Sequence, residues 1–289
     1  MPATCAGGVN TSFASLSYAK VSILGLVQGI SELLPISSTA HMRIVPALLG
    51  WPDPGSAFSA AMQSAALVAV ITYFWCDISE IASGSFAAVR AGRFTDPHAR
   101  LLLLIIAATI PIVIAGVAAS SLLNQCDSPL RSLNVVAWAC IVLALLLAFA
   151  ERAARHVRAL ENCRIRDALL IGVAQVGALI PGASRSGTTL TAALGLGFKR
   201  ADAARLSFLI GIPAIALAGG KELWVLHQAH LSSDGWAVLG VGLSTASLSS
   251  FVGIWLLMQI LERWSAWPFV IYRAALGVLL LFLTSRGWR

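Results

Sequence analysis

The sequence predicts an all-α polytopic membrane protein built as an inverted-topology repeat, each half a re-entrant broken helical hairpin plus three transmembrane helices. Three observations predict it. The chain is 58% apolar and only 11% charged, against roughly 25% charged in an average soluble domain. Its mean hydropathy is +0.82. Six apolar runs reach the roughly 20 residues that cross a 30 Å hydrocarbon core, and two further apolar segments are interrupted in the same manner.

Taken in order, the first interrupted segment is 17–50, broken at Leu34-Pro35-Ile36-Ser37-Ser38-Thr39. Apolar runs follow near 57–76, 99–122 and 133–150. The second interrupted segment is 166–197, broken at Pro181-Gly182-Ala183-Ser184-Arg185-Ser186-Gly187, and runs near 203–226, 236–261 and 267–285 follow it. Proline and glycine inside apolar segments stop a helix, so each interrupted segment reads as helix, loop, helix dipping into the bilayer. The remaining stretches, including 77–98, read as loops. No polar stretch is long enough for a soluble module, so residues 1–289 form one membrane domain.

The two interrupted segments resemble each other: Gly25-Leu26-Val27-Gln28 before Pro35 and a hydroxyl cluster, Gly172-Val173-Ala174-Gln175 before Pro181 and another. Each precedes three full spans, giving repeat 1 near 17–150 and repeat 2 near 166–285. Three crossings are odd in number, so the second copy enters from the opposite side and the two breaks meet near the midplane. Irregular backbone at that depth is tolerated only where it lines a cavity, which predicts one shared polar site.

Charge sets the orientation. Arg90, Arg93, Arg100, Arg152, Arg155, Arg158, Arg164, Arg166, Lys199, Arg200, Arg205 and Arg263 fall on one side, against Lys20, Arg131, Lys221, Arg286 and Arg289 on the other. The richer side is expected in the cytoplasm, with the mouth of the first hairpin facing outward. The net charge of +7 is thus a topology signal. Without a basic stripe interleaved with aromatics, it does not point to nucleic acid. Cys5, Cys76, Cys126, Cys140 and Cys163 show no metal-ligand spacing and read as small apolar fillers. The first sixteen residues lack a basic region leading into a compact apolar one, so no cleaved signal peptide is expected and the first span serves as the targeting signal.

Glu32 is the one acidic residue within the first broken hairpin, and an ionisable group at that depth is costly enough to mark a functional site. Gln28 lies one helical turn earlier on the same face, so amide and carboxylate oxygens are candidates for a shared cation. Ser37, Ser38, Thr39 and His41 follow within nine residues of Glu32. In the second hairpin Gly182, Ser184, Arg185, Ser186, Gly187, Thr188 and Thr189 gather small residues, hydroxyls and one guanidinium at a helix start. Free N–H groups there, with a planar fork of donors, suit an anion such as phosphate. The plainer alternatives are a packing pair between Glu32 and Arg185, a helix-capping His41, and a Gly/Ser turn that lets helices approach.

Residues Gly25 to His41 and Pro181 to Gly187, with Ser207-Phe208-Leu209 before Pro213 and Pro268-Phe269-x-Ile271-Tyr272-Arg273, closely resemble the bacterial undecaprenyl-diphosphatase, or bacitracin-resistance, family. The resemblance runs nearly end to end. It implies hydrolysis of undecaprenyl pyrophosphate to the monophosphate and inorganic phosphate with a divalent cation, Mg2+ or Ca2+, which recycles the carrier lipid for wall synthesis in the bacterial inner membrane. It makes Gln28 and Glu32 the acidic-motif pair, with metal-binding roles. Ser38 with Ser37 become the hydroxyl candidates and His41 the acid/base residue. Gly182, Ser184, Arg185, Ser186, Gly187 and Thr189 fall on the phosphate-binding motif. Position 28 is Gln where many members carry a second Glu, which removes one charge from the expected cation site.

Two readings compete with this family resemblance. Inverted repeats with broken helices also build transporters and lipid flippases. A second type of membrane lipid phosphatase needs paired histidines with an Asp, and His98, His156, His227 and His230 lie in expected loops without that context. The expected partners are a polyprenyl pyrophosphate and the bilayer, and a homodimer is compatible with the sequence.

Overall fold

The computed structural model describes residues 11–93, 95–120, 130 and 132–287. Cys5, Cys126, Arg131 and Arg289 lie outside them. The regular structure among the described residues is helical, apart from an isolated bridge between Arg158 and Phe198. Eleven helices matter here: α1 (Tyr18–Leu33), α2 (Ser38–Leu48), α3 (Ser56–Tyr73), α4 (Trp75–Arg90), α5 (Pro97–Ala118), α6 (Leu133–Ala153), α7 (Ile165–Val176), α8 (Arg185–Gly195), α9 (Arg200–Gln228), α10 (Ser233–Arg263) and α11 (Trp267–Ser285).

Five of these, α5, α6, α9, α10 and α11, are long and apolar enough to cross a membrane. The chain is a multi-pass membrane protein. The hairpins α1–α2 and α7–α8 are built from shorter helices, and α2 and α8 each have only 11 residues, about 17 Å at 1.5 Å per residue. Neither of those two helices spans the core.

Local chemistry explains the breaks. Leu34 precedes Pro35, which disfavours helical ψ, and Leu34 is extended at φ −73, ψ 144. Ser37 then turns the chain at φ 74, and its hydroxyl accepts the Ala40 N–H at 3.4 Å to cap α2. In the second hairpin a short 3-10 turn, Gly177–Leu179, ends α7. Ser184, at φ 64, caps α8 by accepting the Gly187 N–H at 3.2 Å. The second break therefore spans 177–184, earlier than the expected 181–187. Arg185, Ser186 and Gly187 form the first turn of α8 rather than a loop.

The expected loop 77–98 is corrected as well, because α4 occupies its first half. α3 and α4 meet at Phe74 with a bend of 76°. The polar positions of α4 supply the reason: Asp77 accepts a hydrogen bond from Arg205 of α9, while Trp75 and Phe86 remain exposed. An acidic first turn cannot continue straight into hydrocarbon. Arg158–Asp167 and Arg200–Glu151 pair on the same Arg-rich side. Burial pushes the Cys163 thiol there up to about 11, so it stays protonated and packs as an apolar group.

Small residues let the helices close. α1 packs on α10, α7 on α5, α3 on α10, α9 on α5, and α6 on α11. Against α1, Ser249 donates to the Gly25 carbonyl and Ser250 to the Gly29 carbonyl, each at 3.2 Å. A Cβ at Gly29 would collide with Ser249 and the Ala246 carbonyl, and one at Gly172 with the Ala108 backbone of α5. Backbone contact through glycine is the usual way to pack helices where lipid provides no hydrophobic drive.

Gly29→Ala should therefore destabilise the protein by about 1–3 kcal/mol through overpacking. Gly116→Ala on α5, where a Cβ meets nothing within 4 Å, should be neutral or slightly stabilising. Thermal unfolding in detergent compares the two directly.

Candidate active site

The two breaks face each other, and one side chain from outside both joins them. Arg273 of α11 is 1% exposed and its guanidinium donates only to backbone carbonyls. Nε reaches Cys140 at 3.2 Å and Nη1 reaches Pro35 at 3.3 Å. Nη2 reaches Gly182 at 2.7 Å and also Ala183. The Pro35, Gly182 and Ala183 carbonyls lie in the two breaks, where no helical N–H reaches them, while that of Cys140 lies within α6. Gly182 sits at φ +95, and a Cβ there would strike the Val136 backbone of α6, so this turn requires glycine.

A second tie crosses between hairpins. The Ser186 hydroxyl lies 3.1 Å from the Glu32 carbonyl and 3.2 Å from that of Leu34, at the C-terminal end of α1. Ser184 Oγ stands 3.1 Å from Ser186 Oγ. Thr189 lies deeper, its hydroxyl against Arg185 O and Ser207 Oγ. The hydroxyls of Ser184, Ser186 and Thr189 thus knit α8 to its surroundings.

With the breaks clamped, the predicted charged pair comes together. Glu32 Oε2 accepts from Gln28 Nε2 at 2.9 Å and from Ser38 Oγ at 2.6 Å. Glu32 Oε1 faces Arg185 Nη2 at 3.8 Å, too long for a hydrogen bond. Both side chains are buried, yet Nε, Nη1 and Nη2 of Arg185 have no hydrogen-bond partner among the described residues. Five buried N–H donors without acceptors are costly, and such an orphan calls for an absent anionic partner. The guanidinium packs over Gly211 of α9, where any Cβ would collide with Nη1.

His41 stands apart from this cluster. Its Nδ1 lies 2.7 Å from the Ser37 carbonyl and its Nε2 lies 2.6 Å from the Tyr272 hydroxyl of α11, with no hydrogen bond to Ser38 or Glu32. Tyr272, Gly211 and the clamping role of Arg273 were not singled out from sequence. For Tyr272 the only available signal was its place beside Arg273 in the resemblance tract. Gln175, the counterpart of Gln28, is fully buried with both amide atoms unpaired.

A cation would find one carboxylate here, Glu32, with the Gln28 amide and Ser38 hydroxyl beside it. Among the described residues no group of three or more His, Cys, Asp or Glu forms a ready cage. That sparse donor set fits a Mg2+-type ion held by one carboxylate and completed by phosphate oxygens.

The bacitracin resistance protein BacA family model matches residues 21–279, nearly the whole chain. The chain belongs to the BacA family. Among similar proteins are undecaprenyl-diphosphatase 2 of Mesorhizobium japonicum, 66% identical over 91% of this chain and 99% of the relative, and the undecaprenyl-diphosphatase of Gloeobacter violaceus, 51% identical over 92% and 91%. The undecaprenyl-diphosphatase of Trichormus variabilis is 42% identical over 99% of this chain and 88% of its own. Both hairpins of this BacA-family chain, and the Arg273 clamp, fall within the matched span.

Removing the clamp should unfold the site before it removes any chemistry. Arg273→Met takes the guanidinium from the three break carbonyls of Pro35, Gly182 and Ala183, at roughly 1–3 kcal/mol each, and should lower the melting midpoint in detergent by on the order of 10 °C. Arg273→Lys, which keeps the charge but loses the planar fork, should recover only part of that loss.

Proposed function

We infer that this protein hydrolyses undecaprenyl pyrophosphate to undecaprenyl phosphate and inorganic phosphate, recycling the lipid carrier for cell-wall synthesis and thereby conferring bacitracin resistance. The observation that carries the reading is Arg185, a buried guanidinium with unpaired donors, set beside a carboxylate that holds a serine hydroxyl. The names of the relatives supply the isoprenoid.

In this reading the terminal phosphate enters the gap between Arg185 and Glu32, and Arg185 takes its oxygens through the free fork. The first turn of α8 adds the positive end of a helix. Ser38 Oγ, or a water that it orients, attacks the terminal phosphorus, and its proton passes to Glu32 Oε2, already 2.6 Å away. The P–O–P bond breaks and the lipid monophosphate leaves; on the serine route water then hydrolyses the phosphoserine, which releases inorganic phosphate and restores Ser38. His41 exchanges the proton of the hydrolytic step, as an imidazole can both take up and give back a proton. Glu32 and Gln28 would hold a divalent cation, which would supply charge neutralisation on the pyrophosphate.

The inverted repeat belongs to this reading. In its support, Ser37 and Ser184 are both non-glycine caps with positive φ, each opening an eleven-residue helix. The packing also exchanges as a two-fold relation requires: α1 on α10 answers α7 on α5, and α3 on α10 answers α9 on α5. The Arg-poor mouth of the first hairpin is assigned to the outer, periplasmic side by the positive-inside rule.

Phosphate release from a polyprenyl pyrophosphate by detergent-solubilised protein, with no sealed vesicle present, separates hydrolysis from transport or flipping, which need two compartments. Wild type should release phosphate and lose that activity with chelator. Arg185→Ala and Glu32→Ala should each lose on the order of 100-fold or more, and near wild-type rates in Arg185→Ala would defeat the assignment. Retained activity in Ser38→Ala with His41 intact would mark the water route.

Gly211→Ala touches no substrate but displaces Arg185, so kcat should fall about 10-fold or more while the protein stays folded. Kinetics and a melting curve on the same sample test this.

A further inference from the structure

His41 is locked by two bonds that leave little freedom in how it can work. A carbonyl only accepts, so the 2.7 Å contact to Ser37 O requires the proton on Nδ1. Neutral His41 then has its lone pair on Nε2, and the Tyr272 hydroxyl, 2.6 Å away, must be the donor to it. The two rings lie nearly parallel, 6° between planes with centroids 5.7 Å apart. Any proton that His41 takes up or gives back therefore passes through Nε2, and Nε2 is already occupied by a phenol.

Burial along this chain is graded. Ser37 is buried, His41 is intermediate, and Tyr272 is 46% exposed, the outermost member of a path that begins beside the Ser38–Glu32 cluster. A phenol both donates and accepts, so it can stay bonded to His41 in either protonation state by turning its O–H. Arg, Lys or carboxylate at this position would serve only one of the two states.

We propose that Tyr272 is the positioning residue for His41, holding Nε2 through both protonation states and passing its proton between the imidazole and a water at the phenol oxygen. The transfer balances without any other reactant: Nε2–H gives its proton to the phenol oxygen as the phenol proton moves to water, and neutral Tyr272 is restored. The proposal rests on the acid/base reading of His41 given above.

Tyr272→Phe removes the hydroxyl and keeps the stacked ring. In the phosphate-release assay it is expected to lower kcat about 10-fold with KM within twofold of wild type. Millimolar imidazole added to the buffer should restore at least a third of the lost rate in Tyr272→Phe and leave wild type unchanged, because a free proton carrier replaces the missing relay. Tyr272→Leu should lose as much as Tyr272→Phe. A Tyr272→Phe enzyme within twofold of wild type, a loss seen only in Tyr272→Leu, or a loss that imidazole does not restore would each overturn the proposal. His41→Ala distinguishes the underlying reading: full activity there removes the acid/base role itself, whereas an impaired His41→Ala beside a normal Tyr272→Phe removes only the role of Tyr272.

Discussion

Everything in this fold depends on how two broken helices are tolerated in the interior of a membrane protein. Hydrocarbon offers no hydrogen bonds, so carbonyls freed by the breaks at 34–37 and 177–184 need partners within the protein. Arg273 meets that need from a third element, binding the Pro35, Gly182 and Ala183 carbonyls of the two turns at once while its Nε rests on the Cys140 carbonyl of α6. A guanidinium is the side chain for this task, since its donors lie in one plane and diverge toward several acceptors. By holding both turns it also fixes their separation, and with it the spacing of whatever the two hairpins present.

The second buried arginine shows the contrast. Arg185 is as enclosed as its surroundings allow, but its nitrogens find no acceptor, and Glu32 stops at 3.8 Å. A closed bidentate pair would have been a packing device, the plainer of the two sequence readings. In the proposed function, a gap beside unpaired donors serves as a preorganised receptor, and the stability forgone by leaving it open is recovered when an anion binds. Gly211 makes room for the guanidinium, and Ser186 anchors the start of α8 to the end of α1, so the gap persists without a ligand.

Much of this was legible in sequence because it follows from local pattern. Apolar run length located five of the spans, and proline and glycine located both breaks. Glu32 and Arg185 stood out because charges in apolar segments are rare. What escaped detection was set by long-range geometry. The His41–Tyr272 bond joins residues 231 apart, and no local rule pairs them. The clamping role of Arg273 escaped because its partners are backbone atoms, which leave no trace in side-chain patterning. The position of the second break was misjudged by a few residues because Ser184 adopts a positive φ that propensity assigns to glycine, so α8 starts sooner than its Gly and Ser content suggests. The bend into α4 depends on Asp77 finding Arg205, a contact 128 residues distant.

The central claim is that the two hairpins form one site, with Glu32 from the first and Arg185 from the second acting on the same phosphate. A double-mutant cycle on kcat/KM for phosphate release, using Glu32→Gln, Arg185→Gln and the double variant, measures that most directly. If they act as a unit, the double variant will lose little more than the worse single one. Losses that simply multiply would mean the two residues work independently, and the one-site account would be wrong.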